Sequence, residues 1–142
     1  MIVDTILQTK GSAVHTLRDS ETLADAVTLL NSHNIGAVVI TGTGESVAGI
    51  LSERDIIRRL GKDPTGALSL TIAKAMTRGV VTCTRDTNIA DVMERMTDKR
   101  IRHLPIVDNN ELGGIVSIGD VVKRKIEETE QEALALREYI AS

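Results

Sequence analysis

Aromatic side chains are nearly missing from this chain: Tyr139 stands alone among 142 residues, with no Phe and no Trp. A bound base or nicotinamide ring therefore has no Phe or Trp to sandwich it. It must lie between aliphatic side chains and pair with backbone groups. Cysteine is as scarce, and the single Cys83 excludes an internal disulfide and any multi-cysteine zinc site. In the run VVTCT it reads as a buried thiol in a strand. No stretch approaches the ~18 to 20 apolar residues of a membrane span, and Met1 is not followed by a basic and then apolar leader. The expected location is cytoplasmic, without membrane association. Neither charge sign dominates: 17 basic and 20 acidic side chains leave a net charge of −3, which gives no electrostatic ground for a nucleic-acid partner.

Catalytic sets are lacking too. His15, His33 and His103 are scattered without metal-ligand spacing, so no metal is expected. Ser52 and Ser117 have no neighbouring His and no GxSxG context. GIVSIGDV at 114–121 imitates P-loop spacing but carries Asp where Lys-Ser/Thr is required. The GTG at 42–44 does not complete GxGxxG before a helix. The chain reads as a non-enzyme.

What the chain does contain is a repeat. Leu23, Asp25, Ile35, Ile40, Gly49, Ile50, Ser52 and Asp55 recur as Ile89, Asp91, Ile101, Ile106, Gly114, Ile115, Ser117 and Asp120. The shift is 66 positions, then 65 after a one-residue turn deletion. That period is too long for a solenoid unit and indicates two copies of a small folded unit. Each copy, at roughly 60 residues, is marginal alone and gains stability by burial against the other. Clefts between such halves are where small ligands bind.

Each copy reads as strand, helix, two strands and helix, an α+β unit. Ser20 and Asp86 are the expected N-caps of the first helices. Leu23, Ala26, Val27 and Leu30, then Ile89, Val92, Met93 and Met96, are the expected buried stripes. Hairpins follow at 37–41 and 103–107, with turns GTGES and DNNE and return strands VAGIL and LGGIV. They run into helices at 53–60 and from 118 onward. The organisation is a first repeat over 1–61, a linker over 62–71, a second repeat over 72–126 and a helical extension over 127–142. Within the last helix Val122, Ile126, Thr129, Ala133, Leu136 and Ile140 form a heptad seam. It either lies on its own domain or pairs with a second subunit. The acidic run Glu127, Glu128, Glu130 and Glu132 is its solvated face.

The element with chemical potential is GILSERD at 49–55 and GIVSIGD at 114–120, where a strand meets a helix. Ser-x-x-Asp there is a capping box. The same position favours anions at free helix amides, and an Asp can accept both hydroxyls of a ribose. Upstream of the second copy, Arg100, Arg102 and His103 suit phosphate oxygens or form a solvated strand edge. The first copy has Ile35, Gly36 and Ala37 there, so the two clefts should differ.

SERDIIR, RIRHLPIVD and the closing GIVSIGDVVK resemble a tandem cystathionine beta-synthase (CBS) domain pair of the stand-alone bacterial type, across nearly the whole chain. The resemblance implies two repeats, each β-α-β-β-α, packed as one module with an extended C-terminal helix. It implies adenosine ligands in the clefts, among them AMP, ADP, ATP, S-adenosylmethionine and NAD(H), and a flat homodimer. By resemblance Asp55 and Asp120 hold ribose hydroxyls beside Ser52 and Ser117. Lys10, Val14, Gly36 and Ala37 fall near the Asp120 site, and Met76, Thr77, Val80 and Ile101 near the Asp55 site. Arg102 and His103 are the implied phosphate contacts, joined by Arg54; Pro105 and Gly119 complete the matched motifs. The expected function is a regulatory adenosine-nucleotide sensor acting through an effector partner or through its assembly. The competing reading is a structural dimerisation or adaptor module whose motifs are only caps.

Overall fold

A computed structural model describes residues 1–142, the side chain of Glu45 excepted. The elements are α1 (Val3–Lys10), β1 (Thr16–Arg18), α2 (Leu23–His33), β2 (Ala37–Gly42), β3 (Glu45–Ser52) and α3 (Glu53–Lys62). After two short 3₁₀ turns, Ala67–Ser69 and Ile72–Lys74, come α4 (Ile89–Lys99), β4 (His103–Asp108), β5 (Glu111–Ser117) and α5 (Ile118–Ala141). The mixed α+β architecture is the one the repeat implies. Both hairpins stand where their β-branched runs and turns placed them, β2 against β3 and β4 against β5, both antiparallel.

The first strands of the two copies differ. β1 pairs in parallel with β2 over three residues, Thr16 to Val39 through Arg18 to Thr41. VVTCT, expected as a strand, is reduced to one parallel bridge between Cys83 and Ile106. Cys83 N–H donates to the Pro105 carbonyl at 3.0 Å and the Cys83 carbonyl accepts from Val107 N–H at 2.8 Å. Pro105 has no N–H with which to continue that ladder.

Two expected caps move as well. Ser20 sits in a turn closed by Glu21 N–H on the Arg18 carbonyl, and the N-cap of α2 is Thr22, with a full capping box to Asp25. Asp86 likewise lies in a turn closed by Thr87 N–H on the Thr84 carbonyl, and the cap position of α4 is Asn88, whose side chain makes no cap bond. Leu23, Ala26 and Leu30 are buried but Val27 is exposed; Ile89, Val92 and Met96 are buried with Met93 half-buried.

The two cores exchange their leading segments. Val3, Ile6 and Leu7 of α1 pack with Cys83, Ile89, Val92, Met96, Leu104, Ile106, Val116 and Val121 of the second copy. Ile72 and Met76 pack with Leu23, Ala26, Leu30, Val38, Ile40, Leu51 and Ile56 of the first. Backbone bonds fix the exchange: Val3 N–H donates to Thr87 and Ile89 N–H to Met1, while Ile72 N–H donates to Glu21 and Leu23 N–H to Leu70. Each half thus carries the end of the chain segment that begins the other.

Beyond Glu128, α5 is open to solvent along its whole length. Every residue from Thr129 to the C-terminus is exposed, including Leu136 at 59% and Ile140 at 74%. No helix among the described residues is long and apolar enough to cross a membrane.

Candidate functional site

Both Ser-x-x-Asp motifs form the same hardware. β3 ends on Ser52 and β5 on Ser117 with no loop before the helix, so each Ser is extended and serves as the N-cap. Each hydroxyl accepts from the Asp N–H, at 3.3 Å for Asp55 and 3.2 Å for Asp120. Each donates back to Oδ2, at 3.0 Å and 2.9 Å, and the Ser N–H donates to the same oxygen at 2.9 Å in both. Thr22 and Asp25 form an identical box on α2, beside neither of the clefts described below. The cap alone therefore carries no ligand information; what surrounds it does.

Beside Asp120, which touches its lining through Lys10 and Ser117 without lining it, a cleft of about 350 Å³ opens between the two copies. Its lining combines Lys10, Ala13, Val14 and His15 with Asn34, Ile35, Gly36 and Ala37 of the first copy and His103, Ile115 and Ser117 of the second. The Lys10 ammonium bridges its edge, donating to Asp120 Oδ2 at 2.6 Å and to the Ile115 carbonyl at 2.9 Å. Among the described residues no hydrogen bond falls on Asp120 Oδ1, which leaves that oxygen for a hydroxyl. The lining is aliphatic around a few polar groups, the composition that suits a base and a sugar.

The Asp55 side is built differently. At Ile50, the counterpart of Ile115, Thr77 pairs backbone to backbone in both directions, at 3.0 Å and 2.9 Å. A Cβ added at Gly49 would stand 2.7 Å from Met76 Sδ and 2.8 Å from the Thr77 carbonyl oxygen. The glycine is what lets this segment lie on the strand. Asp55 has no lysine; its Oδ1 stands 3.8 Å from Arg58 Nη1. Next to it a second cleft of about 520 Å³ is lined by Arg54, Arg58, Met96, Thr97, Arg100, Ile101, Arg102 and Ile118.

Electrostatics follow this geometry. Burial raises the Asp120 carboxyl, but the hydrogen bonds from Lys10 and Ser117 outweigh it and hold the group below its ordinary value. His103 is pushed down, first by burial and then by the Lys10 ammonium, with Glu53 and Asp120 opposing. Burial raises the Cys83 thiol to about 11, which makes it an inert core group.

Of the residues singled out in the sequence, Lys10, Val14, Gly36, Ala37, His103 and Ser117 meet in the first cleft, with Asp120 reached through Lys10 and Ser117. Arg54, Ile101 and Arg102 meet in the second. Arg102 and His103 thus serve different clefts, as successive residues entering a strand must. Met76 is buried in the first core; Met76, Thr77 and Val80 line neither cleft. Pro105 is buried in β4 opposite Ile115, and Gly119 is exposed beside Ser117. Arg100, grouped in the sequence with Arg102 and His103, lines the second cleft; missed from sequence were Ala13, His15, Asn34 and Ile115 in the first cleft and Arg58, Met96, Thr97 and Ile118 in the second. His15, which sequence spacing sets aside only as a metal ligand, lines the cleft and stacks on His33 with ring centroids 3.8 Å apart. Arg58 carried a signal: it follows Arg54 by one helical turn on the same face. No group of His, Cys, Asp and Glu among the described residues is arranged to hold a metal.

The CBS domain family profile matches residues 9–62 and 72–127. The mitochondrial CBS domain-containing protein CBSX3 of Arabidopsis thaliana is 37% identical over 124 residues, 84% of this chain; the chain spans only 60% of that relative. The crystal structure of the CBS-domain containing protein ATU1752 from Agrobacterium tumefaciens superposes with a TM-score of 0.84 at 38% identity, covering 87% of this chain and 92% of that one. The CBS domain pair of protein MJ0100 superposes with a TM-score of 0.80 at 26% identity, over 90% of this chain and 98% of that one. That pair was solved in complex with 5′-methylthioadenosine and S-adenosyl-L-methionine.

Proposed function

The chain belongs to the CBS domain family as a tandem pair, and from that premise we propose that it is a regulatory sensor of an adenosine nucleotide, AMP, ADP, ATP or NAD(H). The observation that carries this reading is the Asp120 cleft. A carboxylate whose Oδ2 is held by Lys10 and Ser117 stands at an aliphatic cavity walled by Gly36 and Ala37 of the other copy. In this reading Asp120 Oδ1 accepts the ribose hydroxyls, the base lies against Val14, Ile35 and Ala37, and Lys10 and His103 face the anionic end.

The adenosine chemistry of the MJ0100 ligands supports the choice of ligand class. A nucleotide of about 23 heavy atoms at ~0.3 kcal/mol each binds on the order of 10 µM, a range suited to reporting metabolite level. The reading is non-enzymatic: it assigns the cleft a ribose grip and no chemical step. The signal leaves through an effector protein or through assembly, which requires a ligand that binds two states unequally. We assign the sensor to the cytoplasm as a homodimer, with the uncovered seam of α5 as the surface for the second copy.

A thermal-shift panel of AMP, ADP, ATP, NAD, NADH and S-adenosylmethionine tests this directly. Stabilisation by at least one adenosine compound is expected. A flat panel would leave the dimerisation or adaptor reading, in which the boxes act only as caps.

A further inference from the structure

We infer that α5 pairs with α5 of a second copy as a parallel two-stranded coiled coil, with both modules at the same end of it. This rests on the homodimer reading above and fixes its orientation and register. No residue of α5 beyond Glu128 is buried or half-buried, so this stretch is helical without packing of its own. A helix that short holds poorly in water unless an apolar face is covered. The face it offers is narrow: Val122, Ile126, Thr129, Ala133, Leu136 and Ile140 lie alternately four and three residues apart. That is the strict seam of a two-helix contact, whereas a helix lying on a globular surface carries a broader stripe. Heptad position a falls on Ile126, Ala133 and Ile140, and position d on Val122, Thr129 and Leu136. Ile at a with Leu at d favours two strands over three or four.

Charges beside the seam decide the orientation. Lys125 and Glu132 occupy position g, and Glu130 and Arg137 position e. In a parallel pair a g side chain reaches the e side chain of the next heptad on the other helix. Lys125 then meets the partner's Glu130, and Glu132 meets the partner's Arg137, each contact made twice by symmetry and each of opposite sign. An antiparallel pair that superposes the whole seam turns about Gln131. It sets Glu130 against the partner's Glu130, Glu132 against the partner's Glu132, and Lys123 against the partner's Arg137, all of like sign. These charges are uncommitted in their own chain: among the described residues Glu130, Glu132 and Arg137 form no ion pair, and Lys125 reaches Glu128 only at 3.9 Å. Glu127 and Glu128, at b and c, lie away from the seam and keep the solvated role of the acidic run. One helix therefore carries the Asp120 cap in its first turn and, two residues on, Val122, the first layer of the coil. A ligand that shifts that turn acts on assembly, and assembly acts back on ligand affinity.

Analytical ultracentrifugation of the full chain tests the pairing by charge exchange. Glu132→Arg and Arg137→Glu change exposed positions only, so folding of the module is untouched. Each makes the contact between positions 132 and 137 repulsive, and each should weaken self-association about tenfold. An equal mixture of the two variants places opposite charges across the seam again and should associate as tightly as wild type. An antiparallel coil gives a different result: there Arg137→Glu relieves the clash with Lys123 and tightens the dimer. A second measurement does not depend on charge. Ala133→Cys puts a thiol in a middle layer of the seam, and Cys83, the one native cysteine, is buried. In the parallel coil the new thiol faces its own copy, and mild oxidation should link the dimer covalently. If the mixture is no tighter than either variant alone, or if no cross-link forms in a chain that sediments as a dimer, the coil is overturned while the homodimer reading stands on another surface. If the wild-type chain sediments as a monomer at every concentration, the homodimer reading and the coil fail together.

Discussion

Lys10 Nζ lies 2.6 Å from Asp120 Oδ2 and ties the end of α1 to the first turn of α5 across 110 positions of chain. Both side chains are partly exposed, at 33% and 24%, so the pair contributes little to stability, within ~1 kcal/mol. Its effect is local: it neutralises a carboxylate at the edge of the cleft proposed to take an anionic ligand. Lys10→Met, which installs the residue found 66 positions later, is expected to melt close to wild type and to lose on the order of tenfold in AMP affinity, with a smaller loss for uncharged adenosine. Calorimetry with both ligands measures this, and equal losses would show that the ammonium does not serve the phosphate.

Gly49→Ala tests the closed side. The added methyl meets the Thr77 carbonyl oxygen at 2.8 Å, a backbone atom that accepts from Ile50 N–H, and Met76 Sδ at 2.7 Å. The segment has to lift from the strand, at a cost of about 1–3 kcal/mol. Chemical denaturation would show the loss as a lower midpoint.

His103 makes stability depend on pH. Its folded pKa is depressed by burial and by Lys10, so the unfolded chain takes up its proton first as pH falls. The contribution is complete above the unfolded value of ~6.5 and is lost as pH drops from there through the folded value. The stability of wild type relative to His103→Gln should therefore decline between pH 8 and pH 5. A difference that grows on acidification would contradict the burial of a neutral imidazole.

The free half of α5 bears on assembly. Ile126, Leu136 and Ile140, 53%, 59% and 74% exposed, share the heptad seam and stay largely open to solvent. A double substitution, Leu136→Glu with Ile140→Glu, is expected to shift sedimentation from dimer to monomer. Unchanged sedimentation would remove this surface from the dimer interface.

The hairpins and their following helices were legible because β-branched runs, short turns and a Ser-x-x-Asp box are all local signals. The caps at Thr22 and Asn88 were not, since Ser20 and Asp86 have the right chemistry and only the turns closing on Arg18 and Thr84 displace them. α1 escaped notice because it is eight residues long and its cap position, Ile2, supplies no side-chain bond. Its seat in the core of the second copy depends on contacts some 80 positions or more away along the chain, which no local pattern encodes. No local pattern joins Lys10 to Asp120 either; only the family resemblance placed them at one site. By contrast, the parting of Arg102 from His103 follows from strand alternation, and the sharing of a face by Arg54 and Arg58 from helical spacing.

The account turns on whether Asp120 is more than a cap, and Asp25 supplies the control. Asp25 and Asp120 form the same box, and their replacement by Ala should cost similar stability, ~1 kcal/mol each. Titration calorimetry of AMP into the wild type, Asp25→Ala and Asp120→Ala is the most direct measurement. Asp25→Ala is expected to bind as wild type does, while Asp120→Ala loses at least ~tenfold in affinity. Equal binding by both variants would reduce Asp120 to a helix cap and contradict the sensor.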